Sequence, residues 1–194
     1  MIEILAATSN AHKVREMSAI LAPVGVRLLS ASEVGGIPEV IEDRATFRDN
    51  AVKKACEVAA ATGRRVVADD SGLEVEALDG QPGVLSARYA GEGGNDGRNL
   101  RKLLNALAGV ADRRARFVCV IAVADPAELI GTAEGEVRGR IIHQPRGLGG
   151  FGYDPIFVPE GFEQTFAELS PEVKNGMSHR GKALTAAVAQ GLFA

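Results

Sequence analysis

An α/β fold with a mixed central sheet flanked by helices is predicted by three features of the sequence: apolar runs of strand length, amphipathic runs of helix length, and the interleaving of the two. The 194 residues are 46% apolar, enough for one substantial core, whereas two independent halves would each have a thin one. Residues 1–194 are therefore read as a single domain. The net charge of −3 arises from 22 basic and 25 acidic residues spread without a basic stripe, which disfavours a nucleic-acid polymer as partner and leaves small anionic ligands open. Met1-Ile2-Glu3-Ile4 lacks a basic leader, and the longest apolar run, Phe117 to Ala124, is too short to span a bilayer. A cytoplasmic location and no membrane partner are expected. Cys56 and Cys119 belong to no CxxC or Cys/His cluster and read as reduced core residues.

Taken in chain order, residues 2–7 read as a strand and Ala11 to Leu21, with Val14, Met17 and Leu21 on one face, as a helix. Thr46, followed three residues later by Asp49, starts a second helix that Gly63 ends. Val66-Val67-Ala68 is a buried strand running into Asp69-Asp70-Ser71-Gly72, and Leu73, Val75 and Ala77 alternate with Glu74 and Glu76 as a half-exposed strand. Asp96 caps a helix carrying Leu100, Leu103, Leu104 and Leu107. Phe117 to Ala124 is the candidate central strand, ended by Asp125-Pro126, and residues 129–142 read as further strands. A glycine-rich loop from Pro145 leads to the extended run Ile156-Phe157-Val158, and Ser170-Pro171 and Ser178 both start helices.

The chemistry concentrates at four places. Thr8, Ser9 and Asn10 suit an N-cap, and a helix start is a ready anion site. Lys13 in that first turn opposes the helix dipole by a few tenths to about 1 kcal/mol unless an anion is near; it is either a solvated lysine or the mark of a ligand. His179 and Arg180 repeat the same violation after Ser178, with Lys174 just before, although a histidine there also suits a purely structural role. Asp69-Asp70 sets two carboxylates beside an apolar strand, where burial and mutual repulsion would raise both pKa values and a cation would relieve them. The competing reading is a turn or capping pair. Of the two, Asp70 is expected to face the site. Glu42, in an acidic loop that is otherwise simply solvated, would add an oxygen ligand, and magnesium takes one or two protein carboxylates plus phosphate oxygens.

The glycine loop contains a formal GxGxxG at Gly147, Gly149 and Gly152, but Tyr153-Asp154-Pro155 follows in place of a helix, so the dinucleotide reading fails. No GxxxxGK[ST] occurs either. Flanking glycines would expose Phe151 and Tyr153, with Phe151 stacking on a base and Asp154 accepting from it, or else both aromatics plug the core.

Thr8-Ser9-Asn10-Ala11-His12-Lys13, Thr46-Phe47-Arg48-Asp49-Asn50-Ala51, Asp69-Asp70-Ser71-Gly72-Leu73, Pro82-Gly83 with Ser86-Ala87-Arg88-Tyr89, Gly150-Phe151-Gly152-Tyr153-Asp154-Pro155 and Ser178-His179-Arg180-Gly181 together resemble the inosine/xanthosine triphosphate pyrophosphatase (Ham1-like) family, in the family's order and over essentially the whole chain. The resemblance implies an elongated two-lobed single domain with a central cleft, a homodimer, and Mg2+-dependent hydrolysis of ITP, dITP and XTP to the monophosphate and pyrophosphate. Carried over residue by residue, it implies that Thr8, Ser9, Asn10, Ala11, His12 and Lys13 hold the triphosphate, with Lys54 and Lys174 nearby. Glu42 and Asp70 would bind magnesium with Asp69 close by, and Asp70 would also be the general base. Ser71 would touch the substrate, and Phe151, Gly152, Tyr153, Asp154, His179 and Arg180 would hold the purine. An Arg180 or amide donor facing a 6-keto oxygen would reject adenine. Arg44 and Asp49 depart from the family's usual glycine and glutamate, which puts the turn after Glu42 in doubt. A Maf-like pyrophosphatase acting on pyrimidine nucleotides and a nucleotide sensor without turnover are the rival readings.

Overall fold

The computed structural model describes residues Met1–Ala194 and consists of six strands and five α-helices joined by short 3-10 turns. Strand β1 (Ile2–Ala6) is followed by helix α1 (Ala11–Leu21), strand β2 (Val26–Leu29), helix α2 (Phe47–Thr62), strand β3 (Val66–Val75) and helix α3 (Asp96–Ala106). Then come the long strands β4 (Arg114–Asp125) and β5 (Glu128–Ile141), the short β6 (Phe157–Pro159), and helices α4 (Pro171–Met177) and α5 (His179–Ala189). The strands lie in the order β2-β1-β3-β4-β5-β6. β1 is parallel to both β2 and β3, whereas β5 and β6 are antiparallel, so the sheet is mixed.

Local chemistry explains most boundaries. Asn10 caps α1 by accepting from the amides of His12 and Lys13 at 2.9 and 3.3 Å. Thr46 accepts from the Asp49 amide at 3.0 Å and donates back to its carboxylate at 2.7 Å, and Gly63, at φ 67°, closes α2 in the left-handed conformation. Ser178 is extended, at φ −66° and ψ 162°, and separates α4 from α5.

Three expectations are corrected. The apolar run 66–68 does not end at the aspartates: β3 continues through Asp69 to Val75, with Leu73 and Val75 fully buried, and Glu76–Leu78 is a 3-10 turn. Asn95, not Asp96, caps α3, accepting from the Arg98 amide at 2.9 Å. Residues 128–141 form one fourteen-residue strand.

The chain divides into two units. The first comprises Met1–Asp70, Cys119–Gly135 and His179–Ala194. Its core is built from Ile4 and Ala6 of β1, Met17 and Leu21 of α1, Val67 of β3, alternate residues of β4 (Cys119, Ile121, Val123), and Ala183, Leu184 and Ala187 of α5. Successive fully buried residues in β4, Cys119 to Ala124, show that both faces of that stretch are covered. Gly135 of β5 lies against the first turn of α5: a Cβ there would overlap the His179 carbonyl and the Ala183 amide, so this approach requires glycine.

The second unit comprises Ser71–Val118 and Glu136–Ser178. Leu73, Val75, Leu100, Leu103 and Leu107 pack with an aromatic group in which Phe117 and Phe157 meet edge-on at 4.8 Å and Phe117 and Phe166 stack at 5.9 Å. Arg113 adds a polar tie by donating to the carbonyls of Leu107, Ile141 and Ile142. No helix is long and apolar enough to cross a membrane.

Candidate active site

In the first unit, the starts of α1 and α5 both deliver cations to one buried carboxylate. Lys13 Nζ lies 3.1 Å from Asp69 Oδ2, and Arg180 reaches the same oxygen through Nη2 at 3.0 Å and Nε at 3.3 Å. Arg180 also donates through Nη1 to Glu16, one helical turn beyond Lys13. The anion that the two dipole-opposing helix starts demand is therefore supplied by the protein itself. Burial alone would raise the Asp69 carboxyl, but Lys13, Arg180 and Lys54 outweigh it and hold the group well below the usual carboxylate range.

Asp70, the next residue, has the opposite environment. Burial first and the Glu42 charge second push its carboxyl up to about 6, against the pull of Lys54, Lys13 and a hydrogen bond from Asn50. The sequence led us to expect both pKa values to rise; the structure splits them. Two adjacent carboxylates with pKa values driven apart are a signature of divided labour. Glu42 is paired with Lys54, whose ammonium is kept charged, against burial, by Asp69, Glu42 and Asp70. The turn after Glu42, placed in doubt by Arg44, is pinned by Asn50, which accepts from the Arg44 amide at 2.9 Å and donates to its carbonyl at 3.3 Å.

Thr8, Ser9, Glu42 and Lys54 line one cavity of about 420 Å³ together with Ala7, Val58 and the stretch Ile37–Val40. Cation and carboxylate thus share a concave surface at the start of α1. Glu42 and Asp70 fit a hard divalent ion, because two carboxylates close enough to repel are relieved by an oxygen-seeking cation. Asp69, next to Asp70 in β3, is fully buried and carries Lys13 and Arg180 on its Oδ2.

In the second unit, the loop Gly150–Asp154 is organised by Asp154, whose Oδ2 accepts from the Phe151 amide at 2.9 Å and from Lys174 Nζ at 2.6 Å. A Cβ on Gly150, at φ 70°, would overlap that carboxylate, so the loop closes only around glycine. Lys174 Nζ also lies 5.2 Å from the centre of the half-buried Phe151 ring and 5.6 Å from that of Phe166. Tyr153 is 4% exposed and donates its hydroxyl to the Ser86 carbonyl at 2.8 Å.

Several sequence expectations change in detail. The Asn10 side chain is the helix cap, so its oxygen already serves His12 and Lys13. His12 is exposed, with Nδ1 2.9 Å from Arg15, and Ala11 opens the helix. Tyr153 is a core residue, not an exposed aromatic. The Asp154 carboxylate pairs with Lys174 of α4, and the Arg180 guanidinium, 1% exposed, donates to Asp69 and Glu16. His179 is likewise buried, and Ser71 is half-buried in β3. Sequence reasoning missed Glu16 and Asn50, which read as ordinary polar positions of helices; only their three- and four-residue offsets from Lys13 and Thr46 hinted at them.

The second unit has another cavity, of about 400 Å³, lined by Glu74, Glu76, Arg114, Arg116 and Arg138 among others. Its arginines are matched by carboxylates, Arg116 to Glu74 at 2.7 Å and Arg114 to Glu76 at 3.0 Å, so it offers no excess charge to a phosphate.

Comparison with known proteins identifies the family. The model of the Ham1 family matches residues 4–190. A protein of Desulforamulus reducens named dITP/XTP pyrophosphatase is 52% identical over 189 residues, covering 96% of this chain and 94% of that one. The solved Ham1 protein of Staphylococcus aureus superposes with a TM-score of 0.83 at 43% identity, covering 97% and 98% of the two chains. The nucleoside-triphosphatase (dITP/XTP pyrophosphatase) of Mycobacterium abscessus does so with 0.75 at 46% identity, covering 95% and 97%. A match across nearly the whole chain makes this protein a member of the Ham1 family.

Proposed function

We propose that the protein hydrolyses non-canonical purine nucleoside triphosphates, ITP, dITP and XTP, to the monophosphate and pyrophosphate. The observation that carries the reading is the opposed pair in β3: Asp69 held ionised by Lys13 and Arg180, and Asp70 with its carboxyl pushed up to about 6 by burial and Glu42. A binding protein without turnover has no use for a raised carboxylate beside a phosphate site, since it repels the ligand. Membership of the Ham1 family and the names of the relatives support the substrate class.

Glu42 and Asp70, with Asp69 close by, would hold Mg2+, which when bound would supply positive charge to the polyphosphate oxygens. The α1 start, with Thr8, Ser9, Ala11, His12 and Lys13, and Lys54 beside it bind the triphosphate and stabilise charge on the departing pyrophosphate. Asp70, whose carboxyl burial and Glu42 push up to about 6 before metal binds, accepts the proton of the water that attacks the α phosphorus. Ser71 follows Asp70 in β3 and contacts the same end of the substrate. Phe151 supplies a stacking face, and the main chain of Gly152, Tyr153 and Asp154, with His179 and Arg180, reads the purine. A donor aimed at a 6-keto oxygen is satisfied by hypoxanthine or xanthine and meets another donor in adenine. That mismatch discriminates by as much as about 10⁴-fold. We propose further that the enzyme is a cytoplasmic homodimer; the family supports the first point together with two unpaired thiols, Cys56 and Cys119, and supports the second alone.

Pyrophosphate release measured on ITP, XTP, GTP, ATP and UTP, with and without magnesium, tests this directly. Fast, magnesium-dependent turnover of ITP and XTP with slow ATP is the expected result. Equal rates on ATP and ITP would refute the base selection, and a preference for UTP would favour a pyrimidine-directed pyrophosphatase.

A further inference from the structure

The loop Gly150–Asp154 has three anchors in the second unit, and one of them lies outside both its own turn and the core. Two are the Phe151 amide on Asp154, part-buried, and the Tyr153 hydroxyl on the Ser86 carbonyl, buried. The third is Asp96 in the first turn of α3, whose Oδ2 accepts from the Gly152 amide at 2.7 Å. Gly152 is left-handed, at φ 61°, and sits between the ring of Phe151 and the buried ring of Tyr153. The direction of its N–H fixes the Phe151–Gly152 peptide plane, and the other end of that plane, the Phe151 carbonyl, receives the Asp154 amide at 3.1 Å.

Asp96 is exposed, and the helix that carries it is held firmly. Asn95 caps the helix beneath it, and Asn99, one turn on, donates to the Ala87 carbonyl at 2.9 Å and accepts from the Ala90 amide at 2.7 Å. Leu100 and Leu103 fix the same helix in the core. An acidic residue in a first turn is ordinarily explained by the helix dipole alone. Here the carboxylate makes a charge-assisted bond 56 residues along the chain, and its field also contributes to raising the Tyr153 phenol after burial and Tyr89.

We propose that Asp96 is a positioning residue for the purine-reading loop: by holding the Gly152 amide it sets the pose of Phe151, and so governs purine affinity and base choice without touching the reacting atoms. This rests on the nucleotide reading above. It predicts an effect on KM and on selectivity, with the chemical step left intact.

Steady-state kinetics of D96A and D96N on ITP, XTP and ATP, beside melting curves and the amide resonance of Gly152, form the test. D96A is expected to raise KM for ITP and XTP about tenfold, the weight of one charge-assisted hydrogen bond, with kcat unchanged and the preference for ITP over ATP reduced. D96N, which keeps an acceptor oxygen, should fall between wild type and D96A, and the Gly152 amide should shift in both. Should D96A lower the melting temperature, D96N decides on the same criteria. Wild-type KM and selectivity in both variants, or a fall in kcat at unchanged KM, would overturn the proposal. A wild-type protein that releases no pyrophosphate from ITP would overturn the parent reading and this one with it, whereas an active wild type with an indifferent D96A overturns this one alone.

Discussion

Asp70→Asn is expected to lower pyrophosphate release from ITP by about 10³-fold or more, the scale of losing a general base, while nucleotide binding persists. The same substitution should leave the melting temperature unchanged or raise it. The sign follows from the pKa: burial and Glu42 raise the carboxyl to about 6 in the folded chain, so at neutral pH the folded state bears an ionised group it would rather protonate. Asparagine removes that charge and keeps the shape. A site that is strained in the resting protein and gains stability when disarmed is expected of catalytic groups. ITP affinity by calorimetry, melting and pyrophosphate release measured on one preparation check all three parts. Retained turnover would remove Asp70 from its role.

Asp69→Asn should do the reverse, although the residue is adjacent and the chemical change identical. Asp69 is the common partner of Lys13 and Arg180, and Arg180 is 1% exposed. Neutralising it leaves two cations at helix starts that already oppose them, and breaking a buried pair in this way costs about 3–5 kcal/mol. Against a typical total of about 5–15 kcal/mol this is a large fraction. The pH dependence has a definite direction. The folded pKa lies below the ordinary value, so the stabilisation is fully present above about 3.9 and is lost as pH falls towards the folded value. Urea titrations of wild type and D69N should therefore differ most near neutrality and converge in acid. A D69N protein as stable as wild type at pH 7 would show that the buried charges do not hold α1 and α5 in place.

The contrast between these two residues marks where sequence reading succeeds and where it stops. Caps and breakers act within three or four residues, so Thr46 with Asp49, Gly63, Ser170-Pro171 and Ser178 located their helices, and α1 runs over Ala11–Leu21 as the spacing predicts. Strand β2 escaped because four residues, Val26–Leu29, carry too short a pattern to register. The aspartate pair was visible as chemistry, but its division was not. Whether a carboxylate meets Lys13 and Arg180 or meets Glu42 depends on which face of β3 it occupies, and the partners come from positions up to 111 residues away. Tyr153 was misplaced for a related reason. A tyrosine between glycines looks exposed until its distant acceptor, the Ser86 carbonyl, is seen to take it inward. Asp96 carried no functional signal, because an acid in a first turn is what any helix prefers.

In the proposed reaction water attacks the α phosphorus beside Asp70, with pyrophosphate as the leaving group. Hydrolysis of ITP with magnesium in ¹⁸O-labelled water, followed by mass analysis of both products, measures which phosphorus is attacked. The account predicts one labelled oxygen in the inosine monophosphate and none in the pyrophosphate. Label in the pyrophosphate, or release of single phosphates, would contradict it.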